Sequence, residues 1–188
     1  MLRNIQVVEN SLLLPNTLFF SDLIDDDMEK RGMFFERLSQ LSKESDLIFF
    51  DPDNGLEIMS VKKGKRKSSK YVFWDEVKNF YEKGHSVIVY QHFPRQERRK
   101  FIEIITRRAD QIVSPSDIFT YSTPYVLFLL LVHPKHEVIL RTNNKSIAKS
   151  WGEFMRASSR IRLSKQIDIL QYMDAGISVD TNAYFEEV

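Results

Sequence analysis

Asp46-Leu47-Ile48-Phe49-Phe50-Asp51-Pro52-Asp53-Asn54-Gly55-Leu56-Glu57 changes character at its middle: an apolar run bounded by aspartates gives way at once to a polar turn. Such a run predicts a strand covered on both faces, the central strand of a parallel sheet. Proline then stiffens the backbone and removes a donor, while Gly55 permits a sharp reversal. Asp51 and Asp53 flank that proline, so two carboxylates are held at a strand end. In open parallel sheets ligands bind beyond the carboxyl ends of the strands, which makes Asp51, Pro52, Asp53 and Asn54 the candidate site. The competing reading is an Asx-turn that simply ends the strand.

Outward from this stretch, strand and helix patterns alternate. Downstream, Phe73, Trp74, Val77, Phe80 and Tyr81 recur at helical spacing, with Gly84 as the stop. Ser86-Val87-Ile88-Val89-Tyr90 is the next strand, and it runs into Gln91 and His92, a second polar strand end that adds His92 to the site. Pro94 suits the first turn of a helix whose apolar face is Phe101, Ile104, Ile105 and Ala109. Residues 118–121 and 125–132, split by Ser122-Thr123-Pro124, predict an antiparallel hairpin that closes the sheet edge. Upstream, Asp25, Asp26 and Asp27 offer N-caps for a helix over residues 28–43. Ile5 to Val8 and Thr17 to Phe20, separated by Pro15-Asn16, predict two further strands.

The expected fold is α/β, a three-layer sandwich with a mostly parallel, Rossmann-like sheet, a terminal antiparallel hairpin and C-terminal helices. Residues 1–136 form the core, and residues 137–188 a helical extension packed on it. Phe154, Met155, Ile161, Leu163, Ile167, Leu170, Tyr172 and Met173 bury within the chain or across a homodimer of these helices; the scarcity of exposed apolar patches favours the former.

Composition narrows the class. With 188 residues, 43% hydrophobic and 28% charged, the chain is long enough for one well-buried core and is neither disordered nor fibrous in character. It has no cysteine, which excludes disulfides, thiolate metal sites, iron–sulfur clusters and a cysteine nucleophile. The apolar run 125–132 is far shorter than the roughly 20 residues of a membrane-spanning helix. No secretory signal pattern opens the chain, so a cytoplasmic location and no membrane partner are expected.

The net charge of +1 predicts no nucleic-acid partner by itself, so basic surface has to come from clusters. Lys62, Lys63, Lys65, Arg66, Lys67 and Lys70 crowd one loop; Arg95, Arg98, Arg99 and Lys100 crowd another. The first cluster self-repels, and a phosphate-bearing partner would relieve it; in the second, cations at the start of a helix oppose its dipole, which Glu97 offsets only in part. Both clusters follow strands at the site end of the sheet, where they would hold a nucleic-acid backbone or a nucleotide; the alternative is a solvated charged loop. His133 and His136 flank Pro134-Lys135, which breaks the helical spacing a metal-binding histidine pair needs.

Asp51-Pro52 at a strand end resembles the Asp/Asn-Pro-Pro-Tyr/Phe motif of amino-methylating class I methyltransferases, and residues 46–132 resemble the second half of that fold. The resemblance implies S-adenosylmethionine as cofactor and a target amino group held by the Asp51 side chain and the following carbonyl. It likens Glu9 to the acid that binds the cofactor ribose and Asp22 to the acid near its adenine. Asp53 and Asn54 replace the second proline and the aromatic residue of the motif, and none of the six glycines forms a Gly-x-Gly turn. Residues 51–57, Ser69-Lys70-Tyr71 and Tyr90-Gln91-His92-Phe93-Pro94-Arg95 are also similar, in this order, to uncharacterised bacterial proteins, which implies no activity.

Three functions therefore compete. The leading one is a methyltransferase-like domain that acts on or binds nucleic acid or a nucleotide. The second is a magnesium-dependent nuclease or phosphohydrolase, with Asp51, Asp53 and Glu57 as oxygen ligands and Lys70 or His92 assisting. The third is a non-catalytic binding module.

Overall fold

The computed structural model describes residues 5–11, 13–151, 156–160 and 186–187. The polar turn sits where strand β1, Leu47–Phe50, runs out, and burial along β1 alternates. Ile48 and Phe50 are 6% and 9% exposed, whereas Leu47 and Phe49 are 46% and 54% exposed. β1 is thus covered on one face, and it is an edge strand rather than the central one expected from its apolar run. An unbroken apolar sequence specifies strand but not how many faces are covered.

After the short strands β2 (Gly55–Leu56) and β3 (Tyr71–Val72), helix α3 (Trp74–Glu82) carries the chain to β4 (Ser86–His92). β4 lies parallel to β1, with Phe50 opposite Val89. The hairpin of β5 (Asp117–Ser122) and β6 (Val126–Val132) then inserts β6 antiparallel against β4. β5 continues to β7 (Arg156–Arg160), and β7 to β8 (Glu186–Glu187), both antiparallel. The order is β1-β4-β6-β5-β7-β8. The fold is mixed α/β as expected, but its sheet is not mostly parallel: β1 and β4 are its single parallel pair among the described residues. Nor does the hairpin close the edge, because β5 has a further partner in β7.

Two expected strands are absent. Helix α1 occupies Ile5–Asn10, and residues 17–20 form no regular element. Short β-prone runs carry too little signal to resist local context. Helix α2, Met28–Leu41, begins as expected: Asp27 is its N-cap and accepts from the N–H groups of Glu29 and Lys30 at 3.1 and 3.0 Å. Helix α4, Arg98–Ile112, begins after Pro94 rather than at it.

Helices α2, α3 and α4 cover one face, where Val77, Phe80 and Ala109 meet Val87, Val89, Leu127 and Leu129. Each fully buried large side chain there contributes about 1.5–3 kcal/mol. The helix expected after residue 137 is present as α5, Glu137–Trp151, and it packs Leu140 and Ile147 on the opposite face over Phe119, Tyr121 and Leu130. The chain then returns to the sheet as β7, a strand within the stretch expected to be helical. Phe154, Met155 and residues 161–185, with the suggested dimer helices, lie outside the described residues. No helix among the described residues is long and apolar enough to cross a membrane.

Candidate functional site

The parallel pairing of β1 and β4 brings their two polar ends side by side, because Leu47 to Phe50 are in register with Ser86 to Val89. Beyond them lies an open cavity of about 550 Å³ lined by Asp51, Pro52, Asp53 and His92 together with Phe49, Tyr90 and Phe128. The three aromatic side chains share the sheet face that carries α5; Phe49 is exposed, whereas Tyr90 and Phe128 are half-buried and Phe128 packs against the cluster beneath α5. Phe128 lies 6.4 Å from Phe49 and 5.5 Å from Tyr90, centroid to centroid, and Tyr90 lies 5.0 Å from His92. Strand alternation explains the set: Phe49 shares a face with Asp51, and Tyr90 with His92. Tyr90 belongs to the polar strand end expected from the sequence, whereas Phe49 and Phe128 are additions, because an apolar run read as covered on both faces leaves no ring exposed; the period-2 spacing of Phe49 and Asp51 is the available signal.

The turn is held from below. Gly55 has φ +95°, and a Cβ there would clash with the Gln91 side-chain amide. Only glycine allows this approach. Gln91 is buried, accepts from the Leu56 N–H at 2.8 Å and donates to the His92 carbonyl at 2.7 Å. It welds the turn to β4 and faces the helix side, so its role is to position the loop. β2 and β3 complete the hold, with the Asn54 N–H donating to the Lys70 carbonyl at 2.9 Å.

Partial burial pushes the Asp51 pKa up, the Asp53 charge adds to the rise, and His92 opposes it. Among the described residues the Asp51 carboxylate has no hydrogen bond or ion pair, while Asp53 lies 3.5 Å from the Lys70 ammonium. That pair is exposed and weakly stabilising, about 0–1 kcal/mol. The acceptor oxygens are therefore available to a ligand.

Of the basic residues, Lys70 is the one brought to the acidic centre. Lys63 turns away to Asp75 and lies 3.2 Å from Glu76. Lys67 takes a left-handed conformation at φ 73°, with its N–H on Asp26 at 2.7 Å. Bonds from Ser69, Ser68 and Lys67 hold the Asp26 carboxyl down at about 2. Lys62, Lys65 and Arg66 are exposed on the same loop, and Arg95 and Arg99 are exposed after β4. Arg98 stacks on Phe93, 5.7 Å from the ring centroid.

Glu57 does not join Asp51 and Asp53: it pairs with Arg108 of α4 at 2.9 Å. No group of three or more His, Cys, Asp or Glu side chains converges as a metal site among the described residues. Glu9 is exposed on α1 rather than at a strand end, and Asp22 pairs with Arg37 at 2.9 Å. Neither lines the cavity.

A second charged centre had no signature in the sequence. Arg31 of α2, 1% exposed, forms a two-pronged ion pair with Glu76 of α3 at 2.6 and 2.8 Å. It also donates to the Ser68 and Tyr71 carbonyls at 3.0 and 2.7 Å, and Glu76 accepts the Phe73 N–H at 2.8 Å. This network anchors the loop that leaves the site at residue 57 and returns at residue 70.

No protein-family model, curated protein or solved structure matches the chain.

Proposed function

We propose that this chain is a nucleic-acid- or nucleotide-binding domain whose site is the cavity at the carboxyl ends of β1 and β4. The observation that carries it is the combination of an open aromatic floor, Phe49, Tyr90 and Phe128, with unpaired carboxylate oxygen at its edge. Aromatic side chains on a sheet stack bases at about 1–3 kcal/mol each. Lys70 and the exposed Arg95, Arg98 and Arg99 supply cations for the phosphate backbone. The scaffold that goes with this proposal is Rossmann-like and three-layered: β1 and β4 are parallel about a helical crossover, and helices lie on both sides of the sheet.

Methyl transfer is not part of the proposal, since Glu9, the suggested ribose ligand, stands on a helix. The magnesium reading draws no support from a Glu57 already paired with Arg108. The test is fluorescence anisotropy with a labelled, mixed-sequence single-stranded RNA decamer. We expect saturable binding at or below protein concentrations on the order of 100 µM, weakening with added salt. Phe49→Ala and Tyr90→Ala each reduce it about tenfold. Absence of binding, or binding indifferent to both substitutions, refutes the proposal.

A further inference from the structure

Building on the site proposed above, we infer that the cavity selects guanine in a single strand, taking its Watson–Crick edge on the Asp51 carboxylate while the base lies on Phe49 and Tyr90. The geometry begins with strand spacing. Phe49 and Asp51 are two residues apart on one face of the chain, about 7 Å along an extended strand. That is the span from the centre of a stacked base to a hydrogen-bond partner beyond its edge. Tyr90 and His92 stand in the same relation on the parallel neighbour. A base on the aromatic floor therefore presents its edge to the acidic turn rather than to a wall of apolar groups.

The turn can accept at that edge and donate little. Asp51 is an acceptor-only carboxylate when ionised, and Pro52 has no N–H. Guanine presents adjacent donors, N1–H and the 2-amino group, which match the two oxygens of one carboxylate in the bidentate manner that makes such pairs strong. Its O6 lies beside them, where the Lys70 ammonium, 3.5 Å from Asp53, supplies a cation. Uracil offers one donor between two carbonyl oxygens, which a carboxylate repels. Adenine and cytosine offer an amino group beside an acceptor nitrogen, so each makes one bond where guanine makes two. A base-paired guanine has this edge occupied, which restricts recognition to unpaired strands.

The experiment is calorimetric titration of the full chain with the RNA pentamers UUGUU, UUIUU (I, inosine) and UUUUU, and with UUGUU annealed to its complement. We expect UUGUU to bind about tenfold or more tighter than UUUUU. Inosine, which lacks only the 2-amino group, falls between them, and the duplex loses the preference. Asp51→Asn, which can no longer accept with both side-chain atoms, brings UUGUU to within about threefold of UUUUU; a thermal melt verifies its fold. Equal affinity for the three pentamers overturns guanine selection and leaves nucleic-acid binding standing. No binding by any pentamer overturns the site itself. A guanine preference retained in Asp51→Asn overturns the assignment to Asp51, and the inosine arm tests the amino contact without altering the protein.

Discussion

The Arg31–Glu76 centre and the Asp51–Asp53 centre are joined by one loop, yet one is closed and the other open. Glu76 is 7% exposed, and its oxygens take Arg31, Lys63 and the Phe73 N–H. Asp51 has no partner among the described residues and Asp53 only an exposed lysine. Saturated, buried charge behaves as architecture: desolvation is offset by hydrogen bonds and nothing remains for a ligand. Unsaturated carboxylate at a strand end, beside partly exposed aromatic rings, adds little to the fold and retains its capacity to bind.

The largest expected effect falls on the closed centre. Arg31→Met leaves Glu76 buried without its main partner and should cost about 3–5 kcal/mol, read as a lowered urea midpoint. A loss below about 1 kcal/mol would remove the contrast between the centres. Next is Gly55→Ala, which forces a strained φ and a clash with Gln91. It should cost about 1–3 kcal/mol and weaken nucleic-acid binding together with stability, since the turn must shift.

Asp117 offers an intermediate case, a buried carboxylate with Arg141 at 3.0 Å and one oxygen lacking a hydrogen bond. Burial lifts its pKa to about 6, against the Ile118 N–H and Arg141, while Glu137 adds to the rise. Because the folded pKa lies above the ordinary 3.8, its contribution favours the fold most below that value and is lost as pH rises through about 6. Thermal denaturation should therefore show wild type gaining about 1 kcal/mol relative to Asp117→Asn between pH 7 and pH 5. An identical pH response in both proteins would contradict this. The smallest effect belongs to the open centre: Phe49→Ala and Asp51→Asn should each change stability by no more than about 0.5 kcal/mol while reducing binding. A large stability loss in either would mark the face as structural.

Much of the local structure was legible. The Asp27 cap announces the start of α2, and short apolar runs bounded by polar residues announce β1, β4 and β6. The polar turn at the end of β1 was legible too, since Asp-Pro-Asp-Asn-Gly carries its turn chemistry in its own residues. Around Ile5 and Thr17 the inference failed, because a four-residue β-prone run costs little to override.

By itself, then, the sequence determined that β1 ends in two carboxylates and that the next long strand ends in Gln91 and His92. These follow from backbone preferences and side-chain periodicity, which act over a few residues. Tertiary structure alone decided that β1 is an edge parallel to β4, that β6 lies beside β4, and that Phe49, half-buried Tyr90 and half-buried Phe128 meet at the end of that sheet face. It also decided that Arg31 finds Glu76 across 45 positions of chain, whereas Glu57 is drawn to Arg108. Strand order and ion pairing depend on which distant surfaces meet, and an apolar or charged residue carries no label for its partner.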